Sequence, residues 1–288
     1  MGCTLLIRDG ISSFTGTEAR LAQFILDCGN EVTHMNTREL AGRCDASPAA
    51  VVRFAQKLGF KGFNDLKLDL ARESAHPPLA DFQAVIQDSD SMDTIARKAE
   101  RIYTQSVDET YRMLNLPLLT AAVEALSHSR SIHLFGMGAS GLIAMDFQHK
   151  VSRIGIPAFY YSDAHTNLAT AALLSPEDIA VAISYSGETR ETVLAAQAAK
   201  RGGCRVISIT KPGRSRLVKY SDFPLFVPGE EQDLRVGAMT SRISGLLILD
   251  LLYLGVAKHD FPRTEDCLQK TRSIIRAFQS KRQTEIPF

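Results

Sequence analysis

From Ser131 onward, five short apolar runs alternate with helical patterns, and this alternation limits the possible folds more than any other feature. The runs are Ser131–Phe135, Pro157–Tyr161, Ile179–Ile183, Arg205–Ile209 and Phe223–Val227. Helical patterns follow the first run as far as Ile154, then recur near 165–173, over 188–200 and over 238–257. Strands separated by helices cannot pair as hairpins. They are expected to form a mostly parallel, doubly wound sheet of the α/β class with helices on both faces. In such sheets ligands bind outside the carboxyl ends of the strands.

Two stretches rich in glycine and hydroxyl residues fall at those strand ends. Gly136–Gly141 (GMGASG) follows the first run, and Ser184–Thr189 (SYSGET) follows the third. Small residues carrying a strand end into a helix start expose backbone N–H groups and hydroxyls beside a positive helix terminus, which makes an anion site. Ser140, Ser184, Ser186 and Thr189 would each supply a hydroxyl donor, with Gly138 and Gly187 allowing close backbone approach. Each serine taken singly reads equally well as a helix N-cap. Their joint occurrence points to a bound phosphate.

A dinucleotide site is the main rival on the first loop. Gly136, Gly138 and Gly141 spell G-x-G-x-x-G, and Asp163 stands 22 residues beyond Gly141, where a ribose-binding carboxylate belongs. The second loop argues against it, because hydride transfer has no use for three hydroxyls packed at a further strand end.

Composition narrows the partners. A net charge of +1 over 288 residues shows no overall bias toward nucleic acid or membrane, so a nucleic-acid partner has to be sought in a local patch. The five cysteines have no metal-binding spacing and suggest reduced thiols and a cytoplasmic setting, and no metal or cofactor is expected. Only a brief apolar run opens the chain, so no signal peptide is expected. The most apolar segment, Gly245–Ala257, spans 13 residues and contains Asp250, which suits a buried helix better than a membrane span.

Residues 1–74 read as a cluster of short helices. Asn36 with Glu39 forms a capping pattern opening a helix through Arg43, and Cys44–Ala46 breaks it. Ser47-Pro48 then caps a second helix carrying Val51, Phe54, Ala55 and Leu58 on one face and ending at Gly59. Two short helices joined by a tight break form a helix-turn-helix pattern. Over 43–67 the basic residues Arg43, Arg53, Lys57, Lys61 and Lys67 face only Asp45 and Asp65, a stripe suited to phosphate-backbone contact. A helical oligomerisation module with a solvated face is the competing reading. Residues 75–90, with Pro77-Pro78, read as a linker.

The two halves together resemble a known family. Gly136–Gly141 with Ser184–Thr189 resembles the sugar isomerase (SIS) domain. Ala49–Leu70 (AAVVRFAQKLGFKGFNDLKLDL) resembles the helix-turn-helix of RpiR/MurR transcriptional regulators. Asp163–His165 and Met239–Arg242 are similar to segments of the N-acetylmuramic acid 6-phosphate branch. The resemblance implies a DNA-binding domain over 1–74 and a SIS domain over 91–288, in a cytoplasmic homodimer or homotetramer. Its partners would be operator DNA and a sugar phosphate effector. It implies that Ser140, Ser184, Ser186 and Thr189 hold the phosphate and that His165, Glu230 and Arg235 reach the sugar. On the DNA side it implies Ser47, Ala49, Ala50, Arg53, Lys57 and Lys61. The alanines stand where the family often has a hydroxyl; they can touch a thymine methyl but cannot donate.

The SIS fold also serves phosphosugar isomerases and lyases. Isomerisation needs a general base beside the sugar carbons, with Glu188, Glu230, Glu231 and His165 as candidates. Glu188 opens a helix, where the dipole alone favours a carboxylate. A helix-turn-helix has no purpose in an isomerase, so a non-catalytic sensor is expected, with an NAD(P)-binding oxidoreductase the more remote reading.

Overall fold

The computed structural model describes residues 3–10, 14–75, 86–229 and 238–284. They belong to two compact units, Met1–Asp88 and Ser89–Phe288. Most of the expected linker, 76–85, lies outside the described residues.

The first unit is helical: α1 (Cys3–Gly10), α2 (Gly16–Asp27), α3 (Gly29–Val32), α4 (Thr37–Arg43), α5 (Pro48–Lys57) and α6 (Phe63–Ala75). The helix-turn-helix pattern has local causes. Asn36 accepts from the backbone of Arg38 and Glu39 while Glu39 returns a carboxylate to the Asn36 N–H, a full capping box on α4. Ser47 accepts from Ala50 N–H at 3.1 Å to start α5. α5 stops in a Schellman turn: Gly59 (φ +92°) donates to Gln56, and Phe60 donates to Ala55. Between the helices Asp45 takes φ +47°, and Arg20 donates to the Cys44 and Asp45 carbonyls at 3.0 and 2.8 Å. Leu21, Ile25, Leu40, Val51, Phe54, Leu66 and Leu70 fill the core, whereas Leu68 of α6 is exposed.

The second unit opens with α7 (Met92–Arg112) and α8 (Leu116–Ser127), followed by β1 (Ile132–Gly136), α9 (Ala139–Ser152), β2 (Ala158–Tyr160), α10 (Ala164–Ala171) and β3 (Ile179–Ile183). After these come α11 (Arg190–Arg201), β4 (Arg205–Thr210), β5 (Phe223–Phe226), α12 (Met239–His259) and α13 (Phe261–Thr284). The five strands are all parallel, in the order β2-β1-β3-β4-β5. The chain therefore winds one way from β1 to β2 and the other way from β3 to β5. The gap outside β1 and β3 is the switch point where such sheets bind ligands.

Alternation along β3 divides the core. Ile179, Val181 and Ile183 join Phe147, Leu126, Ile248 and Leu252 on one face, while Ala180 and Ala182 meet Val193, Ala196 and Ala199 of α11 on the other. Both edges are blunt. β2 has three residues, and β5 carries Pro224.

At 21 residues α12 is apolar and long enough to cross a membrane. Its Ile248, Leu249 and Leu252 are instead buried against the sheet, and it packs on α7, α8 and α9. Its Ser244 hydroxyl lies 2.8 Å from those of Ser106 and Thr110 on α7. The C-terminal helix α13 extends past the last pattern assigned from sequence. Ile274, Ile275 and Phe278, at helical spacing, are exposed along it.

Candidate functional site

The three glycines of the first loop each answer a separate steric demand. A Cβ on Gly136 would sit 2.8 Å from the Ser140 carbonyl oxygen, and one on Gly141 would sit 2.1 Å from the Tyr160 hydroxyl. Gly138, the N-cap of α9, has φ +56° and ψ −125°, a conformation closed to side chains, although nothing crowds it. Packing and turn geometry thus account for G-x-G-x-x-G. Asp163, the would-be ribose carboxylate, is engaged as the N-cap of α10, accepting from the Thr166 N–H and hydroxyl at 2.8 Å.

The second loop is folded on itself. Ser184 is buried, accepts from Gly187 N–H at 3.2 Å and lies 2.9 Å from the Thr189 hydroxyl. Ser186 is exposed and accepts from Glu188 N–H at 3.2 Å, leaving its own proton to donate. Gly187 (φ +69°) is pressed against Ser215, whose Oγ would be 2.2 Å from an added Cβ. Thr189 is the N-cap of α11 but its hydroxyl makes no capping bond.

Between the loops lies a cavity of about 300 Å³, large enough for a small ligand. Gly138, Ser140, Ser186 and Thr189 line it. Ser184 and Gly187 do not; they shape the turn from behind. The amino ends of α9, α11 and α12 all open on the cavity, so their dipoles favour an anion there. Lys211, just after β4, and Arg242, in the first turn of α12, add two cations. Neither cation forms an ion pair among the described residues, and no carboxylate or histidine is among those lining the cavity.

The remaining candidates stand elsewhere. His165 is exposed in the first turn of α10 and does not line the cavity. Glu188 turns to the loop after β4, where Arg216 N–H donates to it at 2.8 Å. Glu230, Glu231 and Arg235 lie outside the described residues.

On the helical unit, Ser47, Ala49 and Arg53 are exposed along α5, with Ala50 half-buried and Lys61 exposed just beyond. Lys57 is tied back: its ammonium sits 2.7 Å from Glu18 and 5.4 Å from the Phe14 ring centroid. That bond lowers the Glu18 pKa. Lys67 donates to the Met35 carbonyl at 2.7 Å. Of the five basic residues in the stripe, two thus brace the domain.

The model of the helix-turn-helix domain of the rpiR family matches residues 1–77, and that of the SIS domain matches 125–255. An uncharacterised HTH-type transcriptional regulator of Caldanaerobacter subterraneus subsp. tengcongensis is 39% identical over 270 residues, covering 94% of this chain and 95% of its own. The chain belongs to the RpiR family of helix-turn-helix transcriptional regulators. The regulator YbbH of Bacillus subtilis, also uncharacterised, is 32% identical over 92% of this chain and 94% of its own. Among solved structures, Vibrio vulnificus NanR complexed with ManNAc-6P matches 96% of this RpiR-family chain and 98% of its own, at 25% identity and a TM-score of 0.62. The sugar isomerase domain of the Sphaerobacter thermophilus RpiR transcription factor shares the fold of the second unit, at 22% identity and a TM-score of 0.54 over 60% of this chain.

Sequence reading of this RpiR-family regulator missed Lys211 as a cavity residue. Its signal was available: it directly follows a strand, at the carboxyl edge of the sheet. Arg242 lay inside the Met239–Arg242 segment but was given no role. Gln56, exposed on α5 beside Arg53, was also passed over.

Proposed function

We propose that this regulator senses a sugar phosphate in the cavity between the two loops and that the bound ligand alters its affinity for operator DNA. The observation that carries the reading is the set of groups converging there: the loop hydroxyls of Ser140, Ser186 and Thr189, three helix amino ends, Lys211 and Arg242, with no carboxylate among the described lining residues. A dianionic phosphate matches two fixed cations. NanR, a full-length structural relative, was solved with ManNAc-6P, which makes amino-sugar 6-phosphates the first ligands to try.

In this reading the domains run 1–74 and 91–288 with a linker between, the chain acts in the cytoplasm, and copies associate through the second unit to set the spacing of two DNA-reading heads. α5 enters the major groove with Ser47, Ala49, Ala50 and Arg53, while Lys61 contacts phosphate. Phosphate binding draws in the amino end of α12, which bears on α7, the first helix after the linker. A coupling of about 1–3 kcal/mol suffices for regulation. We read the chain as a sensor and not an isomerase. A helix-turn-helix has no purpose in an isomerase, and Glu188, one candidate base, accepts from the Arg216 N–H and does not line the cavity.

Thermal unfolding of the purified chain with ManNAc-6P, GlcNAc-6P, MurNAc-6P and glucose 6-phosphate, each against its free sugar, tests the reading. A ligand at 100 times its Kd adds about 2.7 kcal/mol of stability. One sugar phosphate should raise the Tm where its free sugar does not, and the same compound should change binding to the chain's own promoter DNA. A shift with NAD(P) alone would sink the proposal.

A further inference from the structure

Far from the loops, Glu124, His128 and His259 converge on the surface of the second unit. Glu124 and His128 are one turn apart on α8, and His259 is the last residue of α12, 131 positions further along the chain than His128. The same carboxylate oxygen of Glu124 lies 3.6 Å from His128 Nδ1 and 3.7 Å from His259 Nε2. All three ligand atoms fall within 4.8 Å of one another. Zinc at about 2.0–2.1 Å from nitrogen and 2.0–2.2 Å from oxygen, in tetrahedral geometry, sets its ligand atoms roughly 3.3 Å apart. Small rotations of exposed side chains close that difference.

The surroundings favour a cation. His128 is the C-cap of α8 and His259 ends α12, so two helices of 12 and 21 residues point their negative ends at the cluster. The two imidazoles meet edge to face with centroids 5.1 Å apart, near enough to share one ion. His128 Nδ1 also lies 2.8 Å from the Glu124 carbonyl oxygen, which can only accept. To bind the ion, Nδ1 has to leave this carbonyl and turn its lone pair outward, a ring rotation that the exposed side chain allows.

We propose that Glu124, His128 and His259 form a binding site for a divalent transition-metal ion of the zinc class, clamping the carboxyl end of α8 to that of α12. Two imidazoles and a carboxylate suit Zn²⁺, Ni²⁺ or Co²⁺ and exclude a calcium-type oxygen cage. The fourth position is left to water. The ion's ligands are none of the cavity's lining residues, so its binding can be measured without sugar phosphate.

The test uses the full, untagged chain, freed of metal by chelation and titrated with ZnCl₂ by calorimetry, then with CoCl₂ followed by absorbance. The expected result is one saturable site per chain, with cobalt d–d bands and no thiolate charge-transfer band. Affinity should fall at least tenfold in His259→Gln and in Glu124→Gln, both exposed positions whose exchange leaves the fold intact. Zinc should raise the Tm of the native chain and not that of the His128→Gln/His259→Gln double variant. Binding that persists unchanged in the double variant, a thiolate band, or no saturable binding would each overturn the proposal.

Discussion

At the scale of single residues, the cavity separates groups that hold the loops from groups that face the ligand. Ser184 and Thr189 sit on either side of that divide. Ser184 is buried and spends its oxygen on the turn, whereas Thr189 lines the cavity. Lys211→Ala and Arg242→Ala should each weaken sugar phosphate binding by about 1.5–3 kcal/mol, the worth of a charge-assisted hydrogen bond, with little change in Tm of the free protein; calorimetric titration reads both. Ser184→Ala should lower the Tm first and affinity second. Gly141→Ala should be among the costliest single changes, because its methyl meets the Tyr160 hydroxyl at 2.1 Å. Adding Tyr160→Phe removes that oxygen and should recover part of the loss in urea unfolding. Equal stability of the single and double variants would refute the steric account.

At the scale of elements, the sequence was informative wherever local chemistry dictates the outcome. The capping box at Asn36–Glu39, Ser47-Pro48 and Gly59 marked α4 and α5 because caps are made by neighbours in the chain. β3 was legible because a buried parallel strand reads as an unbroken apolar run, and β1 and β4 come close, interrupted by His133 and by Ser208. The site was half legible. Hydroxyls on the loops could be listed, but which of them face inward depends on how the turn closes, so Ser184 and Ser186 could not be told apart. That Lys57 pairs with Glu18 could not be foreseen, because the two stand 39 positions apart. Long-range pairings leave no local trace. α13 was missed although Ile274, Ile275 and Phe278 stand at helical spacing, and the structure leaves all three exposed. The hydroxyl seam between α7 and α12 also escaped notice, although Ser106, Thr110 and Ser244 are nearly fully buried. Ser244→Ala should cost about 1 kcal/mol of stability. In the regulatory reading it should also reduce the ligand-induced change in operator affinity while leaving ligand affinity itself intact. Comparing DNA binding with and without saturating ligand checks this.

At the scale of the molecule, the end of the sheet opposite the cavity carries a polar clasp. Asp178, just before β3, accepts from Ser131, from Ser175 and from both Nε and an Nη of Arg130. Burial alone would raise its pKa, but the hydrogen bonds from Ser131, Ser175 and Arg130 outweigh burial and bring it down to about 2, against 3.8 when free. The unfolded chain therefore takes up this proton first as pH falls. The clasp contributes about 2 kcal/mol above pH 4, and that contribution is lost progressively as the pH drops toward 2. Urea midpoints measured from pH 5 to pH 2 should fall for the native chain, and the fall should be shallower in Asp178→Asn.

The blunt sheet edges bear on how such a chain behaves at high concentration. A parallel sheet left open at both sides offers rows of unpaired N–H and C=O groups to any passing strand. Here one border is only three residues long and the other contains Pro224, which has no N–H to give. A newly made chain is thus poorly equipped to template the stacking of its neighbours through its sheet edges. The strands that hold the two ligand loops in register are thereby kept for pairing within the chain.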